Sequence, residues 1–322
     1  MNCMIARLIV VAGLMLALTT ASPAQDYPTK QVRIVVPFAP GGLNDLVGRA
    51  IATHLTDRFG RQVIAENRAG AGGVVGTELV ANSPKDGHVL LIVSIAHAVN
   101  PWLYKLPYDP KKSLAPIASV LSSENVLAVN NEVPVKTVKE FIALAKKKPG
   151  EIKYASGGVG GSLHLAMELF KVTVGINLVH IPFKGAGPGV IDVIGGHTQA
   201  INGTISTLSP HIRSGKLRAL AVTGSKRSAA LPGVPTFAEA GVSGYSAGNW
   251  IGLAAPAGTP ASVIAKLQSE IVAMQKAPAF EKMLRDHGSD ALRLNAAEFG
   301  AFMDKELAKW GRVVKEAGIK AQ

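Results

Sequence analysis

Three glycine-rich segments stand where a small anion could be held. Residues 37–45 read PFAPGGLND, residues 156–162 read SGGVGGS, and residues 181–189 read IPFKGAGPG. Each follows a short apolar run of strand type and precedes a stretch whose apolar residues recur at helical spacing. At such a junction the first amides of the helix have no partner within it, and the positive end of the helix dipole faces whatever lies beyond the strand. Gly41 and Gly42 let the backbone approach a ligand closely. None of the three segments contains an arginine, and Lys184 is their only cation. A carboxylate bound there would be held by backbone amides, hydroxyls and water, with no bidentate ion pair.

Each of these signals has a plainer explanation as well. A glycine-rich turn between a strand and a helix is often only a tight turn; three in one chain weigh toward a binding role. Ser94 and His97 follow the third strand and are candidates to line a crevice, although His97 could equally cap a helix or sit in the wall. His164 and His180 fit packing or hydrogen bonding better than ligand contact, and Trp250 fits packing slightly better than a pocket wall.

Enzyme signatures are missing from the text. No GxSxG, GxxxxGK[ST] or HExxH occurs. In GAGGVVG, residues 70–76, the third glycine falls one residue late for a dinucleotide fingerprint, and no acidic residue supported by a strand lies about 20 positions on. A nucleophile assembled from distant Ser and His would escape such a search, because triads are recognised by geometry. The expectation is a binding protein without cofactor or metal.

The elements around these loops alternate. Residues 31–38, QVRIVVPF, read as a buried parallel strand. A helix follows through Leu46, Val47, Ala50, Ile51, Leu55 and Phe59, with Asn44 or Asp45 as its cap and Gly60 as its end. A strand over 62–66, a glycine-rich turn and helix over 69–81 and a strand ending at Ser94 complete a βαβαβ unit. The pattern then restarts: helix 137–148, strand 151–155, helix 163–174, strand 176–183, helix 187–194, strand 198–201, helix 205–214 and strand 217–224. The last third, with a strand over 250–255 and helices near 261–275 and 296–317, holds too few strands for a third unit. Strand counting therefore assigns 25–123 with 247–322 to one discontinuous lobe and 124–246 to a second, joined by a hinge.

The chain has 322 residues, more than one hydrophobic core usually serves. Aromatics are only 5%, which argues against stacked nucleic acid bases despite a net charge of +12. The longest basic run, Lys146 to Lys148, reads as a solvated helix end. Arg7, an apolar run over 8–18 and the small residues Ser22, Pro23 and Ala24 form a secretory signal, residues 1–24, with cleavage near Ala24. The run is about half the ~20 residues a membrane-spanning helix needs. The only cysteine, Cys3, lies inside that segment, so the exported chain would carry no thiol.

VPFAPGGLNDLVGR, ENRAGAGGVVGTELVANSPKDGHVLL, HIPFKGAGP and WIGLAAPAGTP, in this order, resemble the Bug-type extracytoplasmic solute receptors, the binding subunits of tripartite tricarboxylate transporters. The resemblance covers essentially the whole exported chain. It implies a fold similar to type II periplasmic binding proteins, with two α/β lobes closing on a small mono- or dicarboxylate, a periplasmic monomer, and membrane transporter subunits as partners. On that likeness Phe38, Ala39, Pro40, Gly41, Gly42, Asn44 and Asp45 oppose Ser156, Gly157, Gly158, Val159, Gly160, Gly161 and Ser162 as two clamps. Ser94, His97, Lys184 and Thr204 would be secondary contacts. Asn202 stands where many relatives resemble an acidic pattern. An anionic partner for a ligand ammonium is then missing, which favours di- or aromatic carboxylates over amino acids. A periplasmic ligand sensor, or a secreted α/β enzyme, remains the alternative.

Overall fold

The computed structural model describes residues 27–159, 161–183 and 186–319. The signal segment 1–24, Gly160 and Lys184 lie outside the described residues. The first lobe opens with β1 (Val32–Val36), α1 (Leu43–Phe59), β2 (Val63–Asn67), α2 (Val74–Ala81), β3 (Val89–Ser94), α3 (Ile95–Leu103) and β4 (Leu114–Ser123). The second contains β5 (Asn125–Asn130), α4 (Val138–Lys147), β6 (Lys153–Ser156), α5 (Ser162–Val174), β7 (Val179–Pro182), α6 (Ala186–Ile194), β8 (Ala200–Thr204), α7 (Ile205–Arg213) and β9 (Leu217–Val222). The chain then returns to the first lobe with β10 (Asn249–Pro256), α8 (Ala261–Met274), α9 (Pro278–Asp286), β11 (Ser289–Ala291) and α10 (Ala296–Glu316).

Two sheets result, ordered β11-β4-β10-β3-β1-β2 and β7-β6-β8-β5-β9. Both are mixed. In the first, β1 runs parallel to β2 and β3, while β10 lies antiparallel between β3 and β4. In the second, β6 is parallel to β7 and β8, and β5 is antiparallel to β8 and β9. An α/β reading of the sequence does not reveal these central antiparallel strands. A strand buried on both faces has the same apolar composition in either direction.

Period-two alternation places successive β1 residues in different cores. Ile34 and Val36 pack with Val47, Ile51 and Leu55 of α1 and Leu267 and Ile271 of α8. Val35 joins the opposite core, which runs on into the second lobe through Phe141, Tyr154 and Phe170. The long α10 supplies Phe299, Met303, Leu307 and Trp310 to that shared core. It packs on both α3 and α5, tying the lobes together behind the crossings. Asn295 and Glu298 form a reciprocal capping box at its start. Trp250 is buried against Phe299 and Phe302, and its indole N–H donates to Glu306. This is the packing role.

Several boundaries differ from the sequence reading. Within residues 69–81 the glycine-rich turn is a 3-10 turn, Ala71–Gly73, with positive φ at Gly72 and Gly73, and the helix proper, α2, begins only at Val74. The start of α1 is Gly42, earlier than Asn44 or Asp45. The elements α3, β4, β5, α9 and β11 were not assigned from sequence at all. Pro101 inside α3 and Pro116 inside β4 obscure those two.

Candidate functional site

Strand direction brings the glycine loops together. β4 passes into β5 through the single residue Glu124, so the carboxyl end of β4 and the amino end of β5 mark a crossing between lobes. β1 and β3 run with β4, and β6, β7 and β8 run against β5. The carboxyl ends of all five therefore face the space between the sheets. A cavity lined by Glu124, Arg213, Arg285 and Asp290 lies between the β11 and β9 edges. β1 with β2, and β6 with β7, occupy the other ends of the two sheets. The loops after β1 and β6 consequently share the opposite side of the crossing.

The first clamp is held by a buried carboxylate. Asp45, 4% exposed, accepts the Gly41 N–H and the Arg49 Nε at 3.0 and 3.1 Å through Oδ2. Its Oδ1 accepts Asn67 Nδ2 at 2.9 Å, and the same nitrogen donates to the Phe38 carbonyl at 3.1 Å. Arg49 also donates to Asn67 Oδ1. Burial pushes the Asp45 carboxyl upward, but the donors Gly41, Arg49 and Asn67 outweigh it and hold the group below its ordinary value. Gly41 requires glycine, at φ 87. Gly42 does not: its φ is −82, and a Cβ there would meet nothing within 4 Å. Ala39 and Pro40 are exposed, while Phe38 and Asn44 are half-buried.

The glycines of 70–76 brace this loop. A Cβ on Gly76 would lie 2.8 Å from the Arg68 carbonyl and 2.8 Å from Pro37 Cβ, and one on Gly73 would meet the Phe38 ring at 3.4 Å. Close packing explains that motif without a dinucleotide.

The second clamp is anchored by an uncharged group. Ser156 is wholly buried, with Oγ 2.6 Å from His180 Nε2. Gly157, Gly158 and Val159 are half-buried, and Gly158 takes φ 139. Gly161 caps α5 with φ −69, and a Cβ there would reach the Gly158 carbonyl at an ordinary 3.6 Å. Ser162, half-buried, opens the helix. Gly42 and Gly161 are thus matched. Each caps a long helix, neither helix has a side-chain cap, and neither glycine is demanded by backbone conformation. Thr137, Thr204 and Asn295 cap their helices through side chains, whereas α2, α3, α8 and α9 also lack a side-chain cap, so what sets Gly42 and Gly161 apart is glycine at a negative φ. The first amides of α1 and α5 thus have no side-chain acceptor at the cap, and each cap position has room for a Cβ.

Three of the sequence candidates are buried. His97 is 4% exposed; the Pro110 carbonyl lies 2.8 Å from its Nε2, which must therefore carry the proton, and the ring stacks on Tyr108. Burial lowers its pKa, so it is a neutral wall residue. Asn202 is buried in mid-strand and donates to the Tyr245 hydroxyl, which donates in turn to the Ala166 carbonyl. Its side chain serves the second-lobe core. Ser94 caps α3 in position but is likewise buried. Thr204 sits half-buried at the end of β8, its Oγ1 accepting the Thr207 N–H. Sequence reasoning missed Asn67 and Arg49. Their signal is positional: Asn67 pairs with Val36 at the same sheet end, and Arg49 lies one helical turn beyond Asp45.

Two mixed sheets joined by two crossings, with strand carboxyl ends turned to the space between them, are the architecture of a two-lobed solute-binding protein. The profile described as "Tripartite tricarboxylate transporter family receptor" matches residues 47–319. Protein BugT of Bordetella pertussis is 36% identical over 320 residues, covering 98% of each chain. A solved R. palustris protein with adipate aligns at TM-score 0.76 and 32% identity, covering 92% of this chain and all of the other. MatC from Rhodopseudomonas palustris with bound malate aligns at TM-score 0.73 and 29% identity, covering 89% and 100%. The chain belongs to the receptor family of tripartite tricarboxylate transporters, whose members are periplasmic.

Proposed function

We propose that this receptor captures a small organic carboxylate, a di- or aromatic carboxylate in preference to an amino acid, between the clamps at residues 38–45 and 156–162. It passes the ligand to the membrane subunits of a tripartite tricarboxylate-type transporter and does not transform it. The observation that carries the reading is the matched pair of helix caps, Gly42 and Gly161, where the fold tolerates a side chain and none is present. Amide donors at two facing helix entrances suit the two ends of an anion such as adipate or malate, the ligands of the two solved relatives. The overall charge of +12 favours encounter with anions. The chain acts as a monomer after cleavage near Ala24. Its lobes, 25–123 with 247–322 and 124–246, close about the crossings at Glu124 and between β9 and β10.

Melting of the purified receptor against mono-, di- and tricarboxylates, amino acids, nucleotides and sugars tests this. A ligand at about 100 times its Kd adds roughly 2.7 kcal/mol to the native state, a shift visible in Tm. The expected result is a rise with a dicarboxylate or an aromatic carboxylate and none with nucleotides or sugars. A shift with nucleotides alone would contradict it.

A further inference from the structure

The second clamp rests on three stacked rings. His180 of β7 has Tyr154 at a centroid distance of 4.9 Å and His164 at 3.9 Å, those two lying 6.4 Å from each other, and all three planes are within 19° of parallel. These two ring contacts hold the imidazole plane, and its Nε2 edge lies 2.6 Å from Ser156 Oγ. The same hydroxyl lies 3.2 Å from the Gly158 N–H and 3.1 Å from the Gly158 carbonyl. One buried oxygen therefore links the ring to the residue whose φ of 139 turns the loop toward Gly161.

The partners fix one proton position, and the His180 tautomer sets the other. The Gly158 N–H can only donate, so Ser156 Oγ accepts it. The hydroxyl proton then has two acceptors, the Gly158 carbonyl and, with the ring proton on Nδ1, the nearer His180 Nε2. Around the ring, Glu168 accepts from both Tyr154 and Lys171 and is thereby occupied as an ion pair. Burial lowers the His180 pKa, the Glu168 charge raises it and the Lys171 charge lowers it, with a net fall. The ring is neutral, as an acceptor must be.

We propose that His180 is a positioning residue of the carboxylate site: held by Tyr154 and His164, it accepts the Ser156 hydroxyl, which keeps Oγ turned to the Gly158 amide and sets the loop that presents Gly161 and the α5 entrance. The role rests on reading 156–162 as a carboxylate clamp. Mutating the stack as a whole would confuse packing with positioning. His180→Phe keeps a ring against Tyr154 and His164 and removes the acceptor; His180→Gln returns a polar atom near the place of Nε2.

Titration with adipate and malate separates the outcomes. His180→Phe and Ser156→Ala should each weaken binding about five- to tenfold, the effect of one lost hydrogen bond. Because they cut one chain, the double variant should be no worse than the poorer single variant. His180→Gln should recover most of the affinity. Full affinity in His180→Phe, or losses that multiply in the double variant, would overturn the role while leaving the clamp reading intact. Wild-type protein that binds no carboxylate would overturn both. Imidazole nitrogen NMR reads the link without ligand. The account expects the ring proton on Nδ1 and an Nε2 signal that moves in Ser156→Ala; a protonated Nε2 indifferent to that change would contradict it.

Discussion

The two clamps solve one mechanical problem with different chemistry. Each must hold a glycine loop open at a helix entrance. The first uses a buried ionised carboxylate, Asp45, gathering an amide, a guanidinium and a carboxamide. The second uses neutral groups, Ser156 against His180, inside a ring stack. A charged anchor is strong but leaves costly orphans when removed. A neutral one is softer and sits beside two histidines whose pKa values burial lowers. The lobes should therefore respond differently to mutation and to acid.

Removing the charged anchor should be the largest single effect. Asp45→Ala strands the Gly41 amide, Arg49 and Asn67, and should cost about 3 kcal/mol in denaturant unfolding, with carboxylate affinity falling at least tenfold. Asp45→Asn keeps the shape and should lose about half as much. Equal losses would mean that the charge is irrelevant to the first clamp. Next comes Gly41→Val, which forces a β-branched residue to φ 87 and should cost about 1–3 kcal/mol. A change under about 0.5 kcal/mol, the ordinary surface range, would show that the loop relaxes freely.

Acid should single out the second clamp. His164 is lowered to about 3, chiefly by burial and then by the nearby His180 and Lys171 charges. The unfolded ring takes its proton near 6.5 and the folded ring waits until about 3. In between, the unfolded chain binds more protons, so this histidine makes stability fall as pH drops, by up to about 1.4 kcal/mol per pH unit. Asp45 works in another window. Its folded pKa is depressed, so its contribution is complete above the unfolded value of about 3.9 and is lost as pH falls through the folded one. Urea unfolding of wild type and His164→Phe between pH 7 and 4.5 should show the steeper slope in the wild type; parallel slopes would contradict this origin.

Legibility in the sequence followed the physics of each feature. β1, α1 and α5 announce themselves, because a β-branched run and apolar residues at helical spacing are local signals. The clamp loops were visible for the same reason. What hid was non-local. Asn67 matters only because parallel pairing places it beside Val36, and the buried fates of His97 and Asn202 depend on Pro110 and Tyr245, far along the chain. Positive φ proved to belong to Gly41 and Gly158, while Gly42 and Gly161 are free of it. Sequence alone does not distinguish a glycine needed by the backbone from one whose missing side chain leaves room.

That distinction gives the most direct test of the paired clamps. Gly42→Val and Gly161→Val each place a side chain in the proposed ligand space with little strain, so melting without ligand should move by no more than about 0.5 kcal/mol in either. Calorimetric titration with whichever of adipate and malate the wild type binds is the measurement. The account predicts that both variants lose at least tenfold in affinity, since the ligand meets both helix entrances. Wild-type affinity in either folded variant would show that its loop does not touch the ligand, and the two-clamp account would fall.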